Sequence, residues 1–372
     1  MKFVFAGGGT MGHVSPSLAI AKEHERRHKG ATSIFIGREG GSENMAIQRA
    51  AYPLYTLSVS GLIGKKPMQI LSSFHSVALA MKQATQILKK EKPACVIGTG
   101  GYVCYPVLSA AVRLGIPTVL HESNVIPGVA TRMLMASVDL VLLGMEGNAQ
   151  AFKKAKKAIF VGIPTDRAFY TTSSERARAR LGIGGGRLIL SFGGSLGAEA
   201  INRFVSEAAV HICRDGVTWI HASGRRYYDA MREHHPDTRF FRLLPYIEDM
   251  PSYLAAADLV ICRSGASTVA ELLATKTPAI LIPSPNVAGN HQEHNARMLE
   301  ERGGGILLDE REIGTPHGLE MLKRYLESLP EKKEKPKVTT PPQVRALEEI
   351  YAMIEEKTRG IPDKKNEKSE SV

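Results

Sequence analysis

The chain has 372 residues, of which 43% are hydrophobic and 23% charged. That size and balance exclude wholesale disorder and leave room for two domains with sizeable cores. A net charge of +11 points to an anionic partner: nucleic acid, a membrane surface or a phosphorylated ligand.

The excess is local. Residues 1–160 carry +11, residues 161–330 carry −1 and residues 331–372 carry +1. Cys95, Cys104, Cys213 and Cys262 have no metal-like spacing and fit buried positions in a reducing compartment. No window holds 18 consecutive apolar residues, and residues 1–6 are too short for a signal-peptide core. A cytosolic chain, peripheral at most on a membrane, is expected.

In chain order, an apolar strand at 2–6 runs into Gly7, Gly9 and Gly12, then a helical pattern over 16–28. Short apolar strands follow at 32–36, 95–98, 118–121 and 140–143, with helices over 67–90 and 102–114 between them. The opening grammar then recurs. A strand at 188–192 leads into Gly193, Gly194, Ser195 and Gly197, and then a helix over 198–214. Strands at 219–222, 259–262 and 279–282 alternate with helices over 250–256 and 267–275. Such alternation predicts parallel sheets covered on both faces: an α/β chain of two doubly wound domains. The boundary falls near 161–166. Residues 331–342 read as a Lys/Glu/Pro linker, 342–357 as an amphipathic helix, and the rest as a solvated tail.

Both glycine loops sit between a strand and a helix, where N–H groups can meet a phosphate. Glu39 lies near the position of a ribose-binding acid, so a nicotinamide or flavin enzyme stays open on these residues alone. His13 follows the first loop, well placed to take a proton at neutral pH or simply to start the helix. His121, Glu122 and Asn124 cluster after a strand, as a site or a polar turn. In the second half, Arg263, Ser264 and Gly265 follow a strand. Glu271 stands about one turn inside the next helix, where a carboxylate can accept two sugar hydroxyls or answer the helix dipole. His291, Glu293 and His294 lack an evident third metal ligand, and the chain has no Asp-x-Asp.

Six ordered motifs then carry a resemblance over residues 3–310. They are Gly8-Gly9-Thr10-x-Gly12-His13-x-x-Pro16, the stretch 98–106, His121-Glu122-x-Asn124, Gly193-Gly194-Ser195-x-Gly197-Ala198, Arg263-Ser264-Gly265-Ala266-x-Thr268-x-x-Glu271, and Gln292-x-x-Asn295-Ala296. Together they resemble the MurG family of inverting N-acetylglucosaminyltransferases. The resemblance implies a glycosyltransferase B fold, two Rossmann-like domains with a cleft between. It makes the first domain (1–162) acceptor- and membrane-facing and the second (163–335) the UDP-sugar domain; composition adds a linker and helix (336–358) and a disordered tail (359–372). The implied partners are UDP-N-acetylglucosamine, an undecaprenyl-linked acceptor and an anionic membrane surface on the cytoplasmic side. Nucleic acid is not among them, and neither a metal nor another cofactor is implied.

The resemblance also assigns roles. Glu271 takes the ribose hydroxyls, and the Ile247 backbone grips uracil. Ser195, Arg263 and the helix start at Ala266, Ser267, Thr268 and Val269 surround the diphosphate. Gln292 and Asn295 read the sugar. Thr10, Met11, Gly12, Asn124 and Arg167 reach toward the donor or the attacking hydroxyl. His13 is the candidate base, with Glu122 as alternative or orienting partner. Met11, Ser123, Ile163 and His291 depart from the family's usual residues. In the helix over 67–90, Ile70, Leu71, Phe74, Val77 and Leu79 flanked by Lys65, Lys66, Lys82, Lys89 and Lys90 fit a membrane-facing stripe or a core face with a lysine fringe. The rivals are a UDP-N-acetylglucosamine 2-epimerase on the same fold and a non-catalytic UDP-sugar-binding subunit. The nicotinamide reading falls away, because it explains none of the second-half motifs.

Overall fold

The computed structural model describes residues 1–9, 11–41, 44–59, 67–146, 149–194, 196–214, 216–287, 290–330 and 340–359, setting aside the side chains of 67–75, 149 and 359. By its internal contacts the chain divides into two units. The first takes Met1–Ser123, Pro127–Pro164 and the stretch from Pro342; the second takes Asn124–Ile126 and Thr165–Pro341.

The first unit runs β1 (Lys2–Ala6), α1 (Met11–Arg27), β2 (Thr32–Arg38), α2 (Asn44–Arg49), β3 (Leu54–Leu57), α3 (Pro67–Glu91), β4 (Cys95–Gly98), α4 (Cys104–Arg113), β5 (Thr118–Glu122), α5 (Val129–Leu134), β6 (Leu140–Leu143) and β7 (Ala158–Phe160). Among the described residues its sheet has seven strands in the order β3-β2-β1-β4-β5-β6-β7, and every pairing is parallel. The strand period of two sorts the side chains onto two faces. Val4, Ala6, Ile36, Val96 and Leu120 meet Ala80, Ala84 and Leu88 of α3 and Val107 and Leu108 of α4. Phe3, Phe5, Ile97, Val119 and Leu142 face the other way, against Ile20 and Ala21 of α1.

The second unit runs α6 (Ala168–Thr171), α7 (Ser174–Leu181), β8 (Arg187–Phe192), α8 (Glu199–Ile212), β9 (Val217–Ala222), α9 (Tyr228–His234), β10 (Phe241–Leu244), α10 (Met250–Ala256), β11 (Leu259–Cys262), α11 (Ala266–Thr275), β12 (Ala279–Leu281), α12 (His291–Glu301), β13 (Gly305–Leu307) and α13 (Pro316–Ser328). Its six described strands are ordered β10-β9-β8-β11-β12-β13, again all parallel. Ile201, Phe204, Val205, Ala208 and Ile212 give α8 one apolar stripe, which packs on Ile189, Trp219 and Ile261.

The last helix, α14 (Pro342–Arg359), belongs to the first unit and packs along α1. Ala346, Leu347, Ile350, Met353 and Ile354 complete the Phe3–Phe5 face of the core. Tyr351 shares a 2.7 Å hydrogen bond with His24 Nδ1, and Lys357 donates to Asp139 at 2.7 Å.

Two expectations change. The first helix starts at Met11, not near Pro16, so Gly12 and His13 lie in its first turn. Pro16 sits inside it without breaking it; lacking an N–H, it withholds one bond from the Gly12 carbonyl. In α3, the described turns bury Ala80, Ala84 and Leu88 in line with half-buried Val77, while Leu79 is exposed. For these turns the stripe through Val77 is a core face. Ile70, Leu71, Phe74, Lys65 and Lys66 lie outside the described residues or side chains, as do Thr10 and Ser195.

Candidate active site

In a doubly wound sheet, ligands bind beyond the carboxyl ends of the strands where the strand order reverses. That point lies between β1 and β4 in the first unit, and between β8 and β11 in the second.

In the first unit the loops after β1 and β4 interlock. Gly8 N–H donates to the Gly100 carbonyl at 3.3 Å. His13 Nδ1 lies 3.0 Å from the Gly8 carbonyl oxygen. A carbonyl only accepts, so Nδ1 carries the hydrogen, and in the neutral ring Nε2 holds the lone pair. The ring leans over Gly100 so closely that a Cβ there would stand 2.9 Å from Nε2. Beneath this pair, the buried Cys104 thiol receives the Gly100 N–H at 3.0 Å and lies 3.0 Å from the Ala6 carbonyl. Burial raises that thiol to about 12, so it stays protonated.

Glu122 ends β5 and is buried. Its Oε2 accepts from the Gly128 N–H at 2.9 Å and from the Thr131 hydroxyl at 2.6 Å, holding the start of α5. His121 points into the core, with Nε2 3.3 Å from the Gly162 carbonyl and its pKa pressed to about 4 by burial. Of the His-Glu-Asn cluster, then, the histidine is an internal tie.

In the second unit, Gly265 caps α11 in extended backbone with no side-chain cap. The first helical bond runs from Val269 N–H to the Gly265 carbonyl at 3.0 Å. Among the described residues no acceptor meets the N–H groups of Ala266, Ser267 and Thr268, which stand at the positive end of the helix. Glu271, in the next turn, is half-buried, and no described residue donates to its carboxylate. Burial pushes its pKa from 4.5 up to about 8.

The loop before α11 is braced from α12. Ser264 Oγ donates to the Gln292 carbonyl at 2.7 Å, and Asn295 Nδ2 donates to the Ser264 carbonyl at 3.1 Å. Asn295 is fully buried, and its Oδ1 has no hydrogen-bond partner among the described residues. The Gln292 Oε1 accepts from Ser284 N–H at 2.8 Å, which leaves its NH₂ end for other use. Arg263 donates to the carbonyls of Ile282 and Pro283 at 3.1 and 3.2 Å and pairs with Glu310. Arg167 is exposed at the start of α6, which packs against α10 and α11; Ile247 is buried between β10 and α10. Glu293 is taken by Arg297 and Asn290. Among the described residues no three His, Cys, Asp or Glu side chains are placed to hold a metal.

Residues 3–143 match the glycosyltransferase family 28 N-terminal domain, and residues 188–354 match the family's C-terminal domain. A protein of Carboxydothermus hydrogenoformans named UDP-N-acetylglucosamine–N-acetylmuramyl-(pentapeptide) pyrophosphoryl-undecaprenol N-acetylglucosamine transferase is 42% identical over 317 residues, 84% of this chain and 85% of that one. One of the same name from Caldanaerobacter subterraneus subsp. tengcongensis is 39% identical over 364 residues, 95% of this chain and 99% of that one. The crystal structure of Acinetobacter baumannii MurG superposes with a TM-score of 0.69 at 26% identity, covering 96% of this chain and 99% of that one.

The chain belongs to the MurG family. Its two parallel-sheet units are the glycosyltransferase B pair. Within each unit described parts of the MurG-type motifs lie at the strand-order reversal: residues 7–9, 11–13 and 99–104 in one, 193–194, 196–198 and 263–271 in the other. Asn295 and Arg263 are drawn inward by α12 and by the strand ends, and they shape the loop before α11. Reading motifs alone missed two supports of this arrangement. One is the Gly100 surface under His13. The other is the Ser223-Gly224 turn behind the 193–197 loop, signalled only by a Ser-Gly pair after a strand.

Proposed function

We propose that this chain transfers N-acetylglucosamine from UDP-N-acetylglucosamine to undecaprenyl-pyrophosphoryl-N-acetylmuramoyl-pentapeptide, with inversion at the anomeric carbon. The relatives' shared name supports the overall reaction. The observation that carries the chemistry is the hydrogen bond between His13 Nδ1 and the Gly8 carbonyl. It fixes the tautomer and so puts the neutral ring's lone pair on Nε2, the base in this reading.

In this reading the acceptor's 4-hydroxyl gives its proton to His13 Nε2 as its oxygen bonds to the anomeric carbon. The bond from that carbon to the diphosphate breaks, and UDP leaves with the electron pair. The N–H groups opening α11 and the 193–197 loop, with Ser195, meet the charge that develops there. Glu271 takes the ribose hydroxyls, the Ile247 backbone takes uracil, and Gln292 offers its NH₂ to the sugar. Asn295 and Arg263 act by holding the loop. Thr10, Met11, Gly12, Asn124 and Arg167 line the reacting groups. Glu122 is a support here and not the base, since its Oε2 already holds Gly128 and Thr131 at the start of α5.

No described helix is long and apolar enough to cross a membrane. The acceptor is lipid-linked, so we place the chain peripherally on the cytoplasmic face. The basic excess of residues 1–160 and exposed Leu79, Tyr102, Val129 and Met133 support that placement.

The test is incubation with UDP-N-acetylglucosamine and a lipid I analogue. Acceptor-dependent release of UDP with formation of the disaccharide product is expected. N-acetylmannosamine formed without acceptor would establish the epimerase instead, and binding without turnover would establish a carrier subunit.

A further inference from the structure

The core of the second unit holds a line of polar side chains that the proposed chemistry does not use. Trp219 Nε1 lies 2.8 Å from Ser191 Oγ, Ser191 Oγ lies 2.7 Å from His221 Nδ1, and His221 Nε2 lies 3.1 Å from Asn202 Oδ1. Asn202 Nδ2 lies 3.1 Å from the Ser223 carbonyl. All five residues are buried, four of them with no exposed surface. The sheet register explains how they meet: Ser191 of β8 sits opposite His221 of β9, and α8 lays Asn202 across them.

The direction of every bond is fixed by its two ends. The Trp219 indole only donates, and the Ser223 carbonyl only accepts. Asn202 therefore turns its NH₂ to Ser223 and its oxygen to His221. His221 then carries its hydrogen on Nε2, and its Nδ1, which lies 2.7 Å from Ser191 Oγ and 3.2 Å from the Ser191 carbonyl, accepts from the Ser191 hydroxyl. Burial holds the imidazole neutral, down at about 3, which this one-way chain requires.

The chain ends where the 193–197 loop is seated. Gly197 lies in the left-handed region at φ +79, and a Cβ on it would overlap the Ser223 carbonyl oxygen. Gly224, at φ +89, could carry no Cβ either, since it would stand 2.7 Å from the Gly197 Cα and 2.9 Å from the Leu196 carbonyl. The two turns touch backbone to backbone, so a shift of Ser223 moves the loop directly.

We propose that Ser191, His221 and Asn202 are positioning residues for the donor diphosphate, acting through the Ser223 carbonyl on the 193–197 loop. The inference rests on that loop being the diphosphate site.

The experiment measures UDP and uridine affinities of the full chain, with KM for donor and acceptor, in Asn202→Asp, Ser191→Ala and Ser195→Ala. Asn202→Asp keeps the acceptor for His221 but turns a carboxylate oxygen onto the Ser223 carbonyl. Ser191→Ala is the milder break, should the buried acid prevent folding. For both, UDP affinity is expected to fall about tenfold with donor KM rising in parallel, while uridine affinity and acceptor KM stay within about twofold. Equal loss of uridine and UDP affinity would reduce the chain to general support of the unit and overturn the inference. Unchanged UDP affinity in a folded variant would overturn it too. Ser195→Ala separates the underlying reading: if it leaves UDP affinity untouched, the loop is not the diphosphate site. If it weakens UDP while the buried variants do not, only the positioning role falls.

Discussion

The imidazole of His13 rests on the bare Cα of Gly100, and a methyl group at that position would stand 2.9 Å from Nε2 and 3.0 Å from Cγ. Gly100 also has φ +117, a backbone state that other residues rarely adopt. Gly100→Ala therefore pushes the ring away from its bond to Gly8. We expect kcat to fall about 10²-fold, with UDP affinity unchanged by calorimetry. Unchanged kcat would mean that the ring's seat does not matter to the reaction.

His13→Gln removes the proposed base but keeps an amide near Gly8. The expected loss in kcat is about 10²–10⁴-fold with donor KM nearly constant. Glu122→Gln retains an oxygen to accept from Gly128 and Thr131, so kcat should stay within about tenfold of wild type. Glu122→Ala strips both bonds and should lower stability by about 1–3 kcal/mol in denaturant melts. A Glu122→Gln loss as deep as that of His13→Gln would transfer the base to Glu122.

Glu271 gives a pH signature. Its pKa rises from 4.5 to about 8 in the fold, so the folded state binds more protons than the unfolded one between those values. Stability from this group is present below about pH 4.5 and is lost as pH rises through 8. In the unliganded chain, Glu271→Gln should melt higher than wild type at pH 9 and converge with it near pH 5. The same variant should bind UDP more weakly. A constant Tm difference across that range would remove the burial argument.

His24 works in the opposite sense. Burial lowers its pKa from 6.5 to about 4. As pH falls through that window the unfolded chain takes up a proton that the folded ring refuses, so up to ~3 kcal/mol of stability is lost. Tyr351→Phe deletes the 2.7 Å bond to His24 and should cost about 1 kcal/mol at neutral pH. Thermal melts from pH 7 to 4.5 read both effects.

Membrane contact should depend on charge. Lys82 and Lys89 are exposed on α3, the helix that carries Leu79. Co-sedimentation with anionic vesicles should weaken at high salt and on changing both lysines to glutamine, by about 1 kcal/mol per charge. Binding indifferent to salt and to both substitutions would return the basic half to an ordinary solvated surface.

The periodic runs gave away most of the fold. Apolar stretches at 2–6 and 259–262 match β1 and β11 residue for residue, because strands buried on both faces need continuous apolar sequence. The start of α1 was hidden, since Gly12 read as part of the glycine turn and Pro16 as the helix start, while the helix accommodates both. Short β13, containing Gly305, carries too little pattern to stand out. At the site, the sequence singled out His13 and Glu271 because such side chains are rare beside a glycine turn or a helix start, and their roles stay proposals. The inward turn of Asn295, Arg263 and His121 was not. Whether a polar group faces a ligand or a neighbouring loop is decided by residues distant in sequence, such as Ser264, Ile282 and Gly162.

The return of α14 sets an order of events at the ribosome. Residues 165–341 form one continuous stretch, so β8–β13 can close around Trp219 as soon as they emerge. Phe3 and His24 are synthesised before that stretch, yet they wait for Leu347, Ile350 and Tyr351 before they are covered. The half of the molecule made first is thus the half finished last.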